Sequence, residues 1–188
     1  DWDRSPSAIA WSSDGRQMFV VAQNTGQDSL FVIDVKDGKT RTLVKEGTVH
    51  AFDVVKDRIV YTLSNLHSPA ELYRISTDGK GVAQLTNLNA QKIAATRVGE
   101  YEQFSFLGWN DETVFAYVVR PVDFDPAKKY PVAFLIHGGP QGSFGNVFHY
   151  RWNPQTYAGA GYAVVMVDFH GSTGYGQAFS DAIRGDWG

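Results

Sequence analysis

The chain has 188 residues, 43% hydrophobic and 14% aromatic, which is enough apolar material for a packed core and argues against disorder. Seventeen Lys and Arg against twenty Asp and Glu give a net charge of −3, arguing against a nucleic-acid or anionic-membrane partner. With no cysteine, a disulfide framework, a thiolate metal site and a Cys nucleophile are excluded.

Apolar runs such as Ala163–Val167 are far too short to span a bilayer. Asp1 is followed by no signal-peptide pattern, so the start reads as a cleavage or truncation point. No Asn-x-Ser/Thr sequon occurs, which weighs weakly against a glycosylated eukaryotic secretory protein; periplasmic, secreted and cytoplasmic locations all stay open, with a bacterial-type periplasm or cytosol slightly favoured.

Residues 1–88 read as short strands separated by turns. Ala8–Trp11, Met18–Ala22 and Ser29–Asp34 are strand segments. Ser13-Asp-Gly15 and Lys36-Asp-Gly-Lys39 are turns, because Gly accepts the positive φ that tight hairpins need. The pattern then recurs. Leu30–Lys39 is echoed by Leu72–Lys80, Thr42–Val44 by Gln84–Thr86, and Gln17–Val21 by Arg58–Thr62. Asp37 and Asp78 lie 41 residues apart. A period of about 40 with several strands per unit is the signature of β-propeller blades. Two units are visible and a ring needs at least about four, so no ring can close from these residues.

Residues 89–112 read as a linker leading into a second domain, residues 113–188. There Thr113–Arg120 is a strand ended by Pro121. Val132–Ile136 is apolar throughout, as expected of a strand covered on both faces. Asn153-Pro154 marks a helix start and Gly161 its end. Tyr162–Val167 is the next buried strand. Gln177–Arg184 reads as a helix with Ala178, Phe179, Ala182 and Ile183 on one face, closed by Gly185. Strand, helix, strand, helix predicts an α/β layer with parallel strands, whose function sits in the loops at their carboxyl ends. His137–Gly145 and His170–Gly176 are those loops.

Several chemistries can be weighed on these loops. His170-Gly-Ser-Thr-Gly174 mimics a Gly-x-Ser-x-Gly nucleophile elbow around Ser172, but imidazole is too large two residues before the Ser, and the helix starts late. Asp168 precedes any Ser that could serve, so it reads as a loop-orienting carboxylate. The histidines lack metal-ligand spacing, and Gly138–Gly142 does not fit a dinucleotide fingerprint. Phe144, Phe148, Tyr150 and Trp152 fit either an apolar pocket or packing against the sheet and blades.

The ordered motifs Tyr130–Pro140, Tyr157–Val164, His170–Gly176 and Phe179–Gly188, preceded by the blades, resemble the prolyl oligopeptidase family of serine peptidases. The acylaminoacyl-peptidase and dipeptidyl-peptidase V branch is the most similar. The resemblance implies β-propeller blades followed by the N-terminal part of an α/β-hydrolase domain, both incomplete. It implies acyl-enzyme hydrolysis of short peptides, without cofactor or metal, and a nucleophile, acid and base lying beyond Gly188.

His137-Gly-Gly-Pro140 matches the family's oxyanion loop, with Gly139 as donor and His137 as organiser of the turn. A substrate-contacting role falls on the loop with His170 and Tyr175, although relatives commonly carry Arg where His170 stands. An esterase of the same fold and a non-catalytic peptide-binding scaffold are the alternative readings.

Overall fold

A computed structural model describes residues 2–186. Residues 6–84 form two four-stranded antiparallel meanders. The first comprises β1 (Pro6–Trp11), β2 (Gln17–Gln23), β3 (Asp28–Asp34) and β4 (Thr40–Val44). The second comprises β5 (Thr48–Val55), β6 (Arg58–Ser64), β7 (Glu71–Ser76) and β8 (Ala83–Gln84). Asp28 and Thr48 make the single bridge between the two.

These are the two repeat units of the sequence, and both Asp-Gly turns join the third strand to the fourth. Alternation along the strands places Phe19, Val21, Leu30 and Val32 of one blade against Val49, Ile59, Tyr61 and Ile75 of the other. This buried interface is the main core of the first half.

The period extends further than the Asp-Gly turns. Asn24 and Asn65 are also 41 residues apart, and each opens the turn between the second and third strands of its blade. Asn24 N donates to Gln27 O at 2.8 Å and Gln27 N returns to Asn24 O at 3.2 Å. Asn65 and Ser68 repeat the exchange at 3.1 and 3.2 Å.

A second sheet has the order β11-β12-β10-β9. Its strands are β9 (Tyr101–Leu107), β10 (Thr113–Val119), β11 (Val132–Leu135) and β12 (Ala163–Asp168). Two short helices precede β12: α1 (Ala90–Ala94), before β9, and α2 (Pro154–Gly159), between β11 and β12. A third, α3 (Gln177–Asp181), follows it. The expected cap is present, with Gln155 N donating to Asn153 Oδ1 at 3.0 Å and Pro154 in the first turn.

Four features depart from what the sequence predicts. Only β11 and β12 run parallel, while β10 is antiparallel to both of its neighbours. Parallel neighbours need a crossover of a dozen or more residues, which α2 and its flanking loops provide for β11 and β12 alone. Val132, Phe134 and Ile136 are exposed, because alternate residues share one face of the strand and, among the described residues, only the opposite face, with Ala133 and Leu135, packs on a core. The last helix ends at Asp181 and buries only Phe179. Within 89–112, Tyr101–Leu107 forms β9, so the second sheet begins before Thr113.

The two sheets meet through the Asn24 and Asn65 turns. Leu66 leaves its blade and packs with Tyr117, Val119, Ala158, Val164 and Met166 in the core of the second sheet. Tyr117 O–H donates to Gly26 O at 3.1 Å, and Gln103 Nε2 to Thr25 O at 2.7 Å. Truncating Leu66 to Ala would cut a buried side chain out of that junction. The expected cost is about 2–5 kcal/mol of stability, measurable by urea unfolding.

The last blade is also tied to the following segment by Glu71, which is almost fully buried. Its carboxylate accepts from Thr86 Oγ1 at 2.5 Å, Asn89 N at 2.8 Å and Asn89 Nδ2 at 2.9 Å. These bonds, the Thr86 hydroxyl first, lower its pKa from 4.5 to about 2. A depressed carboxylate pKa contributes stability above the unfolded value and loses it as pH falls through the folded value. Glu71→Gln should therefore lower the thermal midpoint at pH 7, with the deficit shrinking between pH 4.5 and about 2. A deficit constant over that window would contradict the assignment. Among the described residues no helix is long and apolar enough to cross a membrane.

Candidate oxyanion site

The carboxyl end of β12 delivers Asp168 into a buried position between two loops. Its Oδ2 accepts from Ser143 Oγ at 2.5 Å and Tyr175 O–H at 2.6 Å, and its Oδ1 from Phe144 N at 3.2 Å. A buried carboxylate must be hydrogen-bonded to be tolerated, and three donors meet that need. Burial, then the Asp168 charge, pushes the Tyr175 pKa up, so its hydroxyl remains a donor. Stacking on Phe115 and close packing against Phe179 fix the ring. Tyr175 is thus engaged within the fold.

The carboxyl end of β11 leads into His137. Its side chain is 8% exposed, stacked on Phe169 at 4.5 Å and edge-on to Phe144. His137 Nδ1 lies 2.9 Å from Gly138 O, and Nε2 lies 2.9 Å from Ser172 Oγ. A carbonyl can only accept, so Nδ1 carries the proton and, in the neutral ring, Nε2 accepts from the Ser172 hydroxyl. Asp168 Oδ1 is 3.6 Å from the same Nε2.

Ser172, His137 and Asp168 therefore stand together, but not as a catalytic triad. In a triad the serine and the acid engage opposite ring nitrogens. Here both face Nε2, while Nδ1 is spent on the backbone. Ser172 is also fully buried, held by its N–H to Phe169 O at 2.9 Å and by Ser180 Oγ donating to its carbonyl at 3.0 Å. The Ser172 hydroxyl is thus enclosed between the two loops.

Gly138 and Gly139 lie exposed at the tip of the turn. Neither N–H meets an acceptor among the described residues. Gly139 has φ +136, and a Cβ there would lie 2.6 Å from Gln141 N, so only glycine fits without shifting the backbone. Gly171, at φ +96, lets the second loop close on Pro140, which a Cβ would meet at 3.1 Å.

An open cleft of about 540 Å³ is lined by His137, Gly139, Pro140, Phe169, His170, Ile183 and Asp186. His170 thus shares a cleft with Gly139. Its Nε2 is 2.7 Å from Glu112 Oε2 and its ring stacks on Phe179 at 4.6 Å. A second cleft of about 490 Å³ contains Phe144, Trp152 and Tyr157 and follows β11, including Phe134 and Ile136. That one borders the unpaired strand edge.

Sequence reasoning missed Asn146, whose four polar groups are all engaged at the junction with the blades. No local signal marks it, since three of its four partners lie at Gly26, Thr48 and Leu66, at least 80 residues away.

Residues 148–188 match the model of the prolyl oligopeptidase family, Peptidase S9. The dipeptidyl-peptidase 5 of Arthroderma otae is 39% identical over 196 aligned residues, covering 100% of this chain and 27% of that protein. The Schizosaccharomyces pombe dipeptidyl-peptidase 5 is 38% identical over 195 residues, with the same coverage of each.

Among solved structures, the acylaminoacyl peptidase of Pyrococcus horikoshii superposes with a TM-score of 0.80 at 28% identity, over 97% of this chain and 28% of that one. An acylaminoacyl peptidase in complex with Z-Gly-Gly-Phe-chloromethyl ketone gives 0.82 at 27% identity, with the same coverage. Along its whole length the chain is similar to dipeptidyl-peptidase 5 proteins and to acylaminoacyl peptidases, and its architecture is that of propeller blades followed by the first part of an α/β-hydrolase domain. It spans about a quarter of the length of the curated relatives it matches.

Replacing Asp168 by Asn would remove the charge to which Ser143, Phe144 and Tyr175 donate. The expected loss is roughly 1.5–3 kcal/mol, the range for one hydrogen bond to a charged group, read from the urea midpoint. An unchanged midpoint would contradict the role given to this carboxylate.

Proposed function

We propose that this chain is the propeller-to-hydrolase junction of a serine exopeptidase that releases dipeptides or acylated residues from short peptides. In the proposed division, residues 1–88 are the last blades, 89–112 lead into the catalytic domain, and 113–188 begin it. The observation that carries the reading is the exposed Gly139 N–H, on a turn held by a buried histidine. When a serine attacks a peptide carbonyl, the oxygen gains negative charge, and a fixed N–H aimed at it lowers the barrier. Such a donor acts well only if it needs no reorganisation during the reaction. His137 supplies that rigidity, with one ring nitrogen on the turn's own carbonyl and the other on Ser172. The nucleophile, acid and base belong to the rest of the full-length protein.

His170 is the residue of the second loop placed to meet substrate, across the cleft from Gly139, while its bond to Glu112 fixes the imidazole. Tyr175 is assigned to packing. The relatives' names, dipeptidyl-peptidase and acylaminoacyl peptidase, support both kinds of release. An esterase would use the same oxyanion donor, so the substrates must separate the two. The full-length protein should hydrolyse dipeptidyl- or acetyl-aminoacyl-nitroanilides with higher kcat/KM than simple nitrophenyl esters. The reverse order would favour the esterase.

Gly139→Ala forces the turn away from φ +136 and should cut kcat by about 10²–10³ with little change in KM. An unchanged kcat would remove Gly139 from the oxyanion hole.

A further inference from the structure

The loop that follows the oxyanion turn is fastened both to the loop after β12 and to the end of β12 itself. Thr173 N donates to Gly142 O at 2.9 Å, and Ser143 and Phe144 bind Asp168. Two residues later the same loop reaches the blades through Asn146, which is 3% exposed. Its N–H donates to Gly26 O at 2.8 Å, in the turn of the first blade. Its carbonyl accepts from Thr48 Oγ1 at 3.0 Å, at the start of the second blade. Its Oδ1 accepts from Leu66 N at 3.0 Å, in the turn of the second blade, and its Nδ2 faces Tyr101 O–H at 3.4 Å on β9. One buried residue therefore ties both blades to the hydrolase sheet: its backbone bonds Gly26 and Thr48, and its side-chain amide bonds Leu66 and Tyr101. The segment Gly142–Asn146 is a short strut between this junction and the oxyanion turn, and the ring of Phe144 within it abuts His137.

We infer that Asn146 is a positioning residue for catalysis: it transmits the seating of the two blade turns to the Gly138–Gly139 turn, so that oxyanion geometry depends on the blades being docked. The inference rests on the peptidase reading above. The strut sets where the loop lies, and the loop sets where the Gly139 N–H points. A displacement of about 1 Å in a catalytic group can cost on the order of 10²-fold in rate. Leu66 is the buried plug of the same turn whose N–H Asn146 accepts, so packing and hydrogen bonding fix one position together.

The test uses the full-length protein, with kcat expressed per active site titrated by a fluorophosphonate. Asn146→Leu keeps the size and both backbone bonds but loses the Leu66 acceptor. It should lower kcat roughly 10- to 100-fold with KM changed less than about two-fold. Asn146→Asp keeps that acceptor and should recover most of the loss. Thr48→Val removes only the donor to the Asn146 carbonyl, is nearly isosteric, and should lower kcat in the same sense. Combined with Asn146→Leu, it should cost less than the product of the two effects.

A residue that merely stabilises the fold would reduce the titrated fraction and the melting temperature while leaving kcat per site unchanged. That result in both single variants would overturn the inference, as would an Asn146→Asp variant no better than Asn146→Leu. A wild-type full-length protein that neither cleaves peptides nor reacts with the probe would overturn the peptidase reading and this inference with it.

Discussion

A buried negative charge at the carboxyl end of a central strand is the constraint on which the rest of the site depends. β12 lies between β10 and β11, so Asp168 cannot reach water without disrupting the sheet. The carboxylate must draw donors to itself, and they come from both flanking loops: Ser143 and Phe144 from one, Tyr175 from the other. Once those loops are gathered, His137 is enclosed by Phe169, Phe144 and Ser172. Its remaining nitrogen can then hold the turn that presents Gly139. The exposed N–H is thus the outcome of buried electrostatics one layer below.

The blades contribute to the same arrangement through repetition. Each uses an Asn-initiated turn, at Asn24 and Asn65, to reach the second sheet. The two turns arrive with different content. The first brings backbone groups to Tyr117 and Gln103. The second brings Leu66 into the apolar core. Equivalent positions of a repeat have diverged into a polar contact and an apolar plug, and Asn146 binds to both.

Features governed by local chemistry were legible in the sequence. The Asp-Gly turns and the Asn153 cap follow from short-range rules, and the period of 41 from comparing one segment with the next. Val132–Ile136 misled because an apolar run reports that both faces can be covered, not that they are; here only the face with Ala133 and Leu135 packs on a core. β9 was hidden in a stretch read as linker, although Phe104 and Phe106 alternate as strand residues do. Asn146 had no readable signal, because its meaning lies in groups brought near only by the fold. Asp168 was legible as a loop-orienting carboxylate, yet its three donors, and the facing of Ser172 and Asp168 toward one nitrogen of His137, required coordinates.

The central claim is that these residues supply the oxyanion side of a serine peptidase and not its nucleophile. Fluorophosphonate labelling of the full-length protein, followed by peptide mapping of the modified serine, tests it most directly. The account requires a single labelled serine C-terminal to residue 188 and an unmodified Ser172. A label on Ser172, lost in a Ser172→Ala variant, would contradict it.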